Sequence, residues 1–168
     1  MHPRMTRPRS IVAATVLSAA VALGAAAQAS AASATFTAQL SGANEVPAVD
    51  TAARGVATFQ LSYDGSELTY RLNVANIENV HMAHIHLAPV GVNGGVVAWL
   101  YPDAPPPVPI EGRSQGTLAT GTITSADLVG PLAGMTLADL VAAMETGGAY
   151  VNVHTEQNPG GEIRGQIH

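Results

Sequence analysis

An all-β domain is the fold class this sequence predicts: an antiparallel Greek-key β-sandwich or barrel of about eight strands with one short helix. Three observations predict it. Runs such as Leu68 to Val74 alternate apolar with polar residues, the period of a half-buried strand. Turn signals such as Asp64-Gly65 and Asn158-Pro159-Gly160-Gly161 divide the chain at short intervals. One stretch alone, Leu137 to Met144, carries helical spacing strong enough to single out.

The elements follow in order. Thr35 to Leu40 alternates weakly and reads as a first strand, and Asn44-Glu45-Val46-Pro47 as a turn or strand edge, because proline lacks a ladder donor. Val56 to Leu61 and Leu68 to Val74 flank Tyr63-Asp64-Gly65-Ser66 and predict a hairpin. Val80 to Leu87 and Val96 to Tyr101 predict two more strands across a glycine-rich turn at Gly91 to Gly95. Pro102 to Pro109 holds five prolines in eight residues and reads as an extended loop. Thr117 to Ile123 is a strand. Thr136 and Asp139 form a capping-box-like pair ahead of Leu137, Leu140, Val141 and Met144, and Gly147-Gly148 stops the helix. Tyr150 to His154 and Glu162 to Ile167 complete the set.

The chain starts with Arg4, Arg7 and Arg9, an apolar run from Ile11 to Ala27, and small residues at Ala29-Ser30-Ala31 and Ala32-Ser33-Ala34. That order is a secretory signal peptide, with cleavage expected after Ala31 or Ala34. The expected organisation is therefore a signal peptide over 1–31 and one domain over 32–168, secreted or extracytoplasmic, with no stable membrane insertion after cleavage. The apolar run is short for a spanning helix. No acid lies in the leader, so the remaining chain has four arginines against twelve acids, a formal charge of −8, and lysine is absent. That balance excludes nucleic acid as a partner and favours cations. Cysteine is also absent, so any metal must be held by histidine, carboxylate or backbone oxygen. No phosphate-binding loop, dinucleotide fingerprint or Gly-x-Ser-x-Gly elbow is present.

Histidines carry the chemistry. His81, His84 and His86 lie in one strand, and His154 in another. Side chains two apart share a strand face, so His84 and His86 stand together while His81 is expected on the opposite face, unless a bulge shifts the register. Neutral imidazole is the commonest protein metal ligand. If the two strands meet, His84, His86 and His154 form a three-histidine site suited to copper, with zinc as the alternative. His81, Asn152 and Glu162 are expected to support these ligands. Met82 falls on the ligand face and is expected to pack. Arg164 is a candidate for attracting an anion to the metal, against the default of an ion pair with Glu162 or another acid. His2 leaves with the leader, and His168 is expected to fray. No protein partner follows from the sequence.

Several segments resemble a CHRD domain, the module named after chordin: Phe36 to Gly42, Ala83-His84-Ile85-His86, Gly130-Pro131-Leu132, Tyr150 to Thr155, and Asn158 to Ile167. The resemblance implies a secreted module and does not settle an activity. A second likeness is to the copper-zinc superoxide dismutases, whose copper strand also reads His-x-x-His-x-His and whose late Val-x-His strand precedes a Gly-Gly turn. It implies a superoxide-dismutase-like fold, with His84, His86 and His154 as copper ligands, His81 as a structural histidine, and superoxide dismutation as the activity. The departures are the missing cysteine pair, the missing histidines between His86 and His154, and Glu162 where that family has its arginine. The alternative is a non-catalytic extracellular binding module or metal carrier.

Overall fold

The computed structural model describes residues 33–168; the expected leader lies outside the described residues. Seven strands form among them: β1 Thr35–Ser41, β2 Arg54–Leu61, β3 Leu68–Leu87, β4 Gly95–Tyr101, β5 Ile110–Ile123, β6 Ala149–Thr155 and β7 Ile163–Gln166. One helix, α1 Leu137–Glu145, precedes β6. All the pairings are antiparallel. Strands β2, β1, β7, β6 and β3 are neighbours in turn, and β3 also pairs with β2, which closes a barrel. β4 and β5 add to β3. The fold is the antiparallel barrel or sandwich that the alternation predicts.

The β2–β3 hairpin forms as expected, from Leu61 opposite Leu68 to Arg54 opposite Ala75. Its turn is tied by Asp64, whose carboxylate accepts from the Ser62 and Ser66 hydroxyls and from the Ser66 amide. These bonds favour the ionised form and pull the Asp64 carboxyl down to about 2. Gly65 takes a positive φ of 72° in that turn, where a Cβ would be strained. The helix also forms as read. Thr136 donates from its amide and its hydroxyl to Asp139, and Leu137, Leu140, Val141 and Met144 are buried in the barrel's apolar core.

Three features differ from the sequence reading. The two strands expected at Leu68 to Val74 and Val80 to Leu87 are one strand of 20 residues, so there are seven strands rather than about eight. Asn76 and Asn79 hold positive φ values of 55° and 53°, and β3 slips register around them against β5. Asparagine tolerates this conformation, so the chain bends without leaving the sheet. β5 begins at Ile110, seven residues before the expected start. His168 does not fray: its amide and carbonyl bond Thr37 on β1 at 2.9 and 2.8 Å.

Candidate metal centre

The site lies on the outer face of the barrel wall, where β4, β3, β6 and β7 run side by side. Ala83, Ile85, Val151, Val153 and Ile163 point into the core and are fully buried. The alternate residues point outward in cross-strand rows. His84 is opposite Trp99 on one side and Asn152 on the other, and Asn152 is opposite Arg164. His86 is opposite Tyr150, and Met82 is opposite His154. This register makes His84 and His154 diagonal neighbours, close enough for long side chains to meet.

An outward row in a barrel usually meets water, yet this one is covered. His84, His86, Asn152, His154 and Arg164 are all buried, with exposures from 2 to 8%. The Pro159 carbonyl, in the turn before β7, and the Gly94 carbonyl, at the end of the β3–β4 loop, each meet a histidine. His154 Nδ1 donates to Pro159 O and His86 Nδ1 donates to Gly94 O, both at 2.9 Å. A carbonyl only accepts, so Nδ1 carries the proton in both neutral rings and Nε2 keeps its lone pair. His84 Nδ1 lies 3.2 Å from His154 Nε2. One ring nitrogen from each of the three histidines lies within 4.8 Å of the other two.

Burial sets the charge state. Desolvation, with the nearby charges of His154, His86 and His81, lowers His84 to about 3. Desolvation also lowers His154 to about 4, against the bond to Pro159. His86 is lowered chiefly by desolvation, against the bond to Gly94. All three imidazoles are thus neutral at pH 7, the form that ligates metal.

The fit of a metal to these residues rests on unpaired atoms. Among the described residues, the buried side-chain polar atoms without a hydrogen-bond partner are His81 Nε2, His84 Nε2, His86 Nε2, Asn152 Oδ1 and Glu45 Oε1. All belong to this outer face or border it. Asn152 faces the His86 ring, and a Cβ on Gly161 would collide with both Glu45 Oε1 and Asn152 Nδ2. Native interiors leave few such atoms unpaired, and of the five it is His86 Nε2 that a metal shared by the trio would pair. Three imidazole nitrogens and no thiolate suit copper or zinc. Tetrahedral bonds near 2.0–2.1 Å put donor atoms about 3.3 Å apart. The His84–His154 pair, at 3.2 Å, meets that spacing, and all three ring nitrogens lie within 4.8 Å of one another.

The other expected site residues fall as follows. His81 is not on the core face. Register slips between Val80 and Met82, and the His81 ring stands 6.3 Å from that of His154, beside the cluster but outside the trio. Met82 is half-buried opposite His154. Glu162 accepts from Thr51 and Thr155 hydroxyls at 2.7 and 2.6 Å, fixing the end of β6 next to His154. Arg164 does not bond Glu162. Its guanidinium donates to Asn93 Oδ1 and to the Val92 and Pro89 carbonyls, and lies 3.4 Å from the centre of the Tyr150 ring.

A scan of family models matches the CHRD domain over residues 36–167. The chain belongs to the CHRD domain family. No curated protein and no solved structure matches it, so the superoxide dismutase likeness rests on the histidine pattern alone. The CHRD match spans every strand of the barrel except the first residue of β1. Sequence reasoning missed four parts of this CHRD site. Trp99 meets the His84 ring edge-on at 4.3 Å, and Tyr150 stacks on His86 at 4.8 Å with planes 7° apart. The Gly94 and Pro159 carbonyls set the tautomers. The chain's single tryptophan, beside the histidine strand, was the available signal for the first; nothing in the sequence marks a backbone carbonyl.

Proposed function

We propose that this CHRD domain is an extracellular metal-binding module that holds one copper ion, or zinc in its place, through His84 Nδ1, His86 Nε2 and His154 Nε2. The observation that carries the reading is the trio itself: three buried, neutral imidazoles with one nitrogen each within 4.8 Å, two of them with Nδ1 bonded to a backbone carbonyl so that the lone pair lies on Nε2. Backbone and carboxylate partners of this kind orient ligating histidines in metal proteins. Without metal, His84 Nδ1 donates to His154 Nε2; ligation through His84 Nδ1 would require the other neutral tautomer, with the proton on Nε2. The surplus of acids draws cations to the domain. The leader-like segment 1–31 supports export to a compartment where such a module meets free metal, leaving 32–168 as the mature domain.

Superoxide dismutation is the second reading. Three protein ligands leave a coordination position open, and copper supplies one-electron redox chemistry when bound. In this chain Arg164 does not serve it directly, because its guanidinium is committed to the β3–β4 loop. Calorimetric titration of the mature protein with Cu(II) and Zn(II) tests the first reading. We expect one metal per chain, with affinity falling about 100-fold or more in His84→Ala and His154→Ala, a loss at least as large as that for supporting residues. Equal binding by wild type and the double variant contradicts it. Superoxide consumption by the copper-loaded protein, compared with the same double variant, decides the second.

A further inference from the structure

Arg164 is 2% exposed and bonds no carboxylate, although a buried guanidinium needs strong partners. Its partners are the Pro89 and Val92 carbonyls and Asn93 Oδ1, all in the loop that ends at Gly94. The same guanidinium covers the Tyr150 ring at 3.4 Å, a cation–π contact. Tyr150 in turn lies parallel to His86, 4.8 Å away. The circuit then closes through the loop. Gly94 N donates to the Tyr150 hydroxyl at 3.2 Å, and Gly94 O accepts from His86 Nδ1 at 2.9 Å.

We propose that Arg164 and Tyr150 are positioning residues for His86: they hold the plane of its ring and place the carbonyl that fixes which nitrogen carries the proton. The inference rests on the metal-site reading for its purpose, though the arrangement is present without metal. Turning the His86 ring would break the stack on Tyr150 and the bond to Gly94 together. Releasing Arg164 would free both the tyrosine and the loop. A plainer role, in which Arg164 only pins the loop to the barrel, is shared by Gln166, whose amide donates to the Ala88 and Gly147 carbonyls and has no part in the stack.

The test reads the imidazole nitrogens of the metal-free mature protein by NMR and, in parallel, zinc affinity by competition with a chelator. In the wild type, His86 should show a single neutral tautomer with the proton on Nδ1. Arg164→Met should mix the two tautomers and weaken zinc about 10–100-fold, the usual cost of losing a residue that orients a ligand. Gln166→Ala should leave the tautomer and the affinity within twofold of wild type. Tyr150→Phe keeps the stacked ring and removes the hydroxyl that holds Gly94; it should shift the tautomer part-way, and it serves if Arg164→Met does not fold. A wild type that binds no zinc sinks the metal-site reading while the tautomer arm still decides this one. A single unchanged tautomer in both Arg164→Met and Tyr150→Phe, or an equal shift in Gln166→Ala, overturns the positioning role.

Discussion

The two halves of β3 are built from one strand and solve opposite problems. From Leu68 to Val74 the residues Leu68, Tyr70, Leu72 and Val74 are buried while Thr69 and Arg71 are exposed, the alternation of a strand with one wet face. From Ala83 to His86 both faces are buried: Ala83 and Ile85 in the core, His84 and His86 beneath the loops that carry Gly94 and Pro159. Between them lie the two left-handed asparagines and a register slip. The first half contributes to stability through its core side chains. The second half buries polar rings whose free nitrogens lack partners, an arrangement that costs stability unless something binds them. That contrast separates fold from function within a single element.

Core truncations should show the largest effect and split the halves. Leu72→Ala and Ile85→Ala each remove a fully buried side chain and should each lower unfolding free energy by about 2–5 kcal/mol in denaturant titration. Only Ile85→Ala, between His84 and His86, should also weaken metal binding in protein that remains folded. Equal effects on metal from both variants would erase the distinction.

Acid should act next, through the buried histidines that the second half shares with β6. A histidine whose folded pKa is lowered contributes fully above its unfolded value of about 6.5 and loses that contribution as pH falls toward its folded value. For His84 and His154 the window runs from about 6.5 down to 3 and 4. Each can remove at most about 1.4 kcal/mol per pH unit there. Glu45 works the other way. Burial, offset by Arg164 and the Val46 amide, raises its carboxyl to about 7, so its contribution is present below about 4.5 and is lost as pH rises toward 7. Metal-free protein should therefore lose stability between pH 6.5 and 4, with Glu45→Gln steepening the loss and His84→Ala flattening it. A stability profile flat over that window contradicts the burial of neutral imidazoles.

The bend itself gives the smallest effect. Asn79 holds φ 53° and accepts from Gly112 N at 2.8 Å. Asn79→Ala should cost about 1–2 kcal/mol for the left-handed backbone alone. An unchanged midpoint would mean that the bend is set by the strands rather than by asparagine.

The comparison also marks what a sequence discloses. The β2–β3 hairpin, the capped helix and the outward row Tyr150, Asn152, His154 were legible, because alternation, turn residues and capping pairs are local signals. The shared face of His84 and His86 was legible for the same reason, whereas the approach of His154 depends on the long-range pairing of β3 with β6. The continuity of β3 was not legible: the alternation lapses between Val74 and Val80, while the backbone passes through Asn76 and Asn79 in the left-handed region. His81 follows the bulge exception rather than the regular alternation: it is the extra residue between Val80 and Met82, and its ring stands on the side of His154. The cover over the histidines depends on main-chain carbonyls, which every residue carries and no motif singles out.

Anomalous diffraction at the copper and zinc edges from crystals of the metal-loaded protein tests the central claim most directly. One peak about 2 Å from His84 Nδ1, His86 Nε2 and His154 Nε2 is the predicted result. A peak held by other residues, or none with the metal in excess, would contradict it.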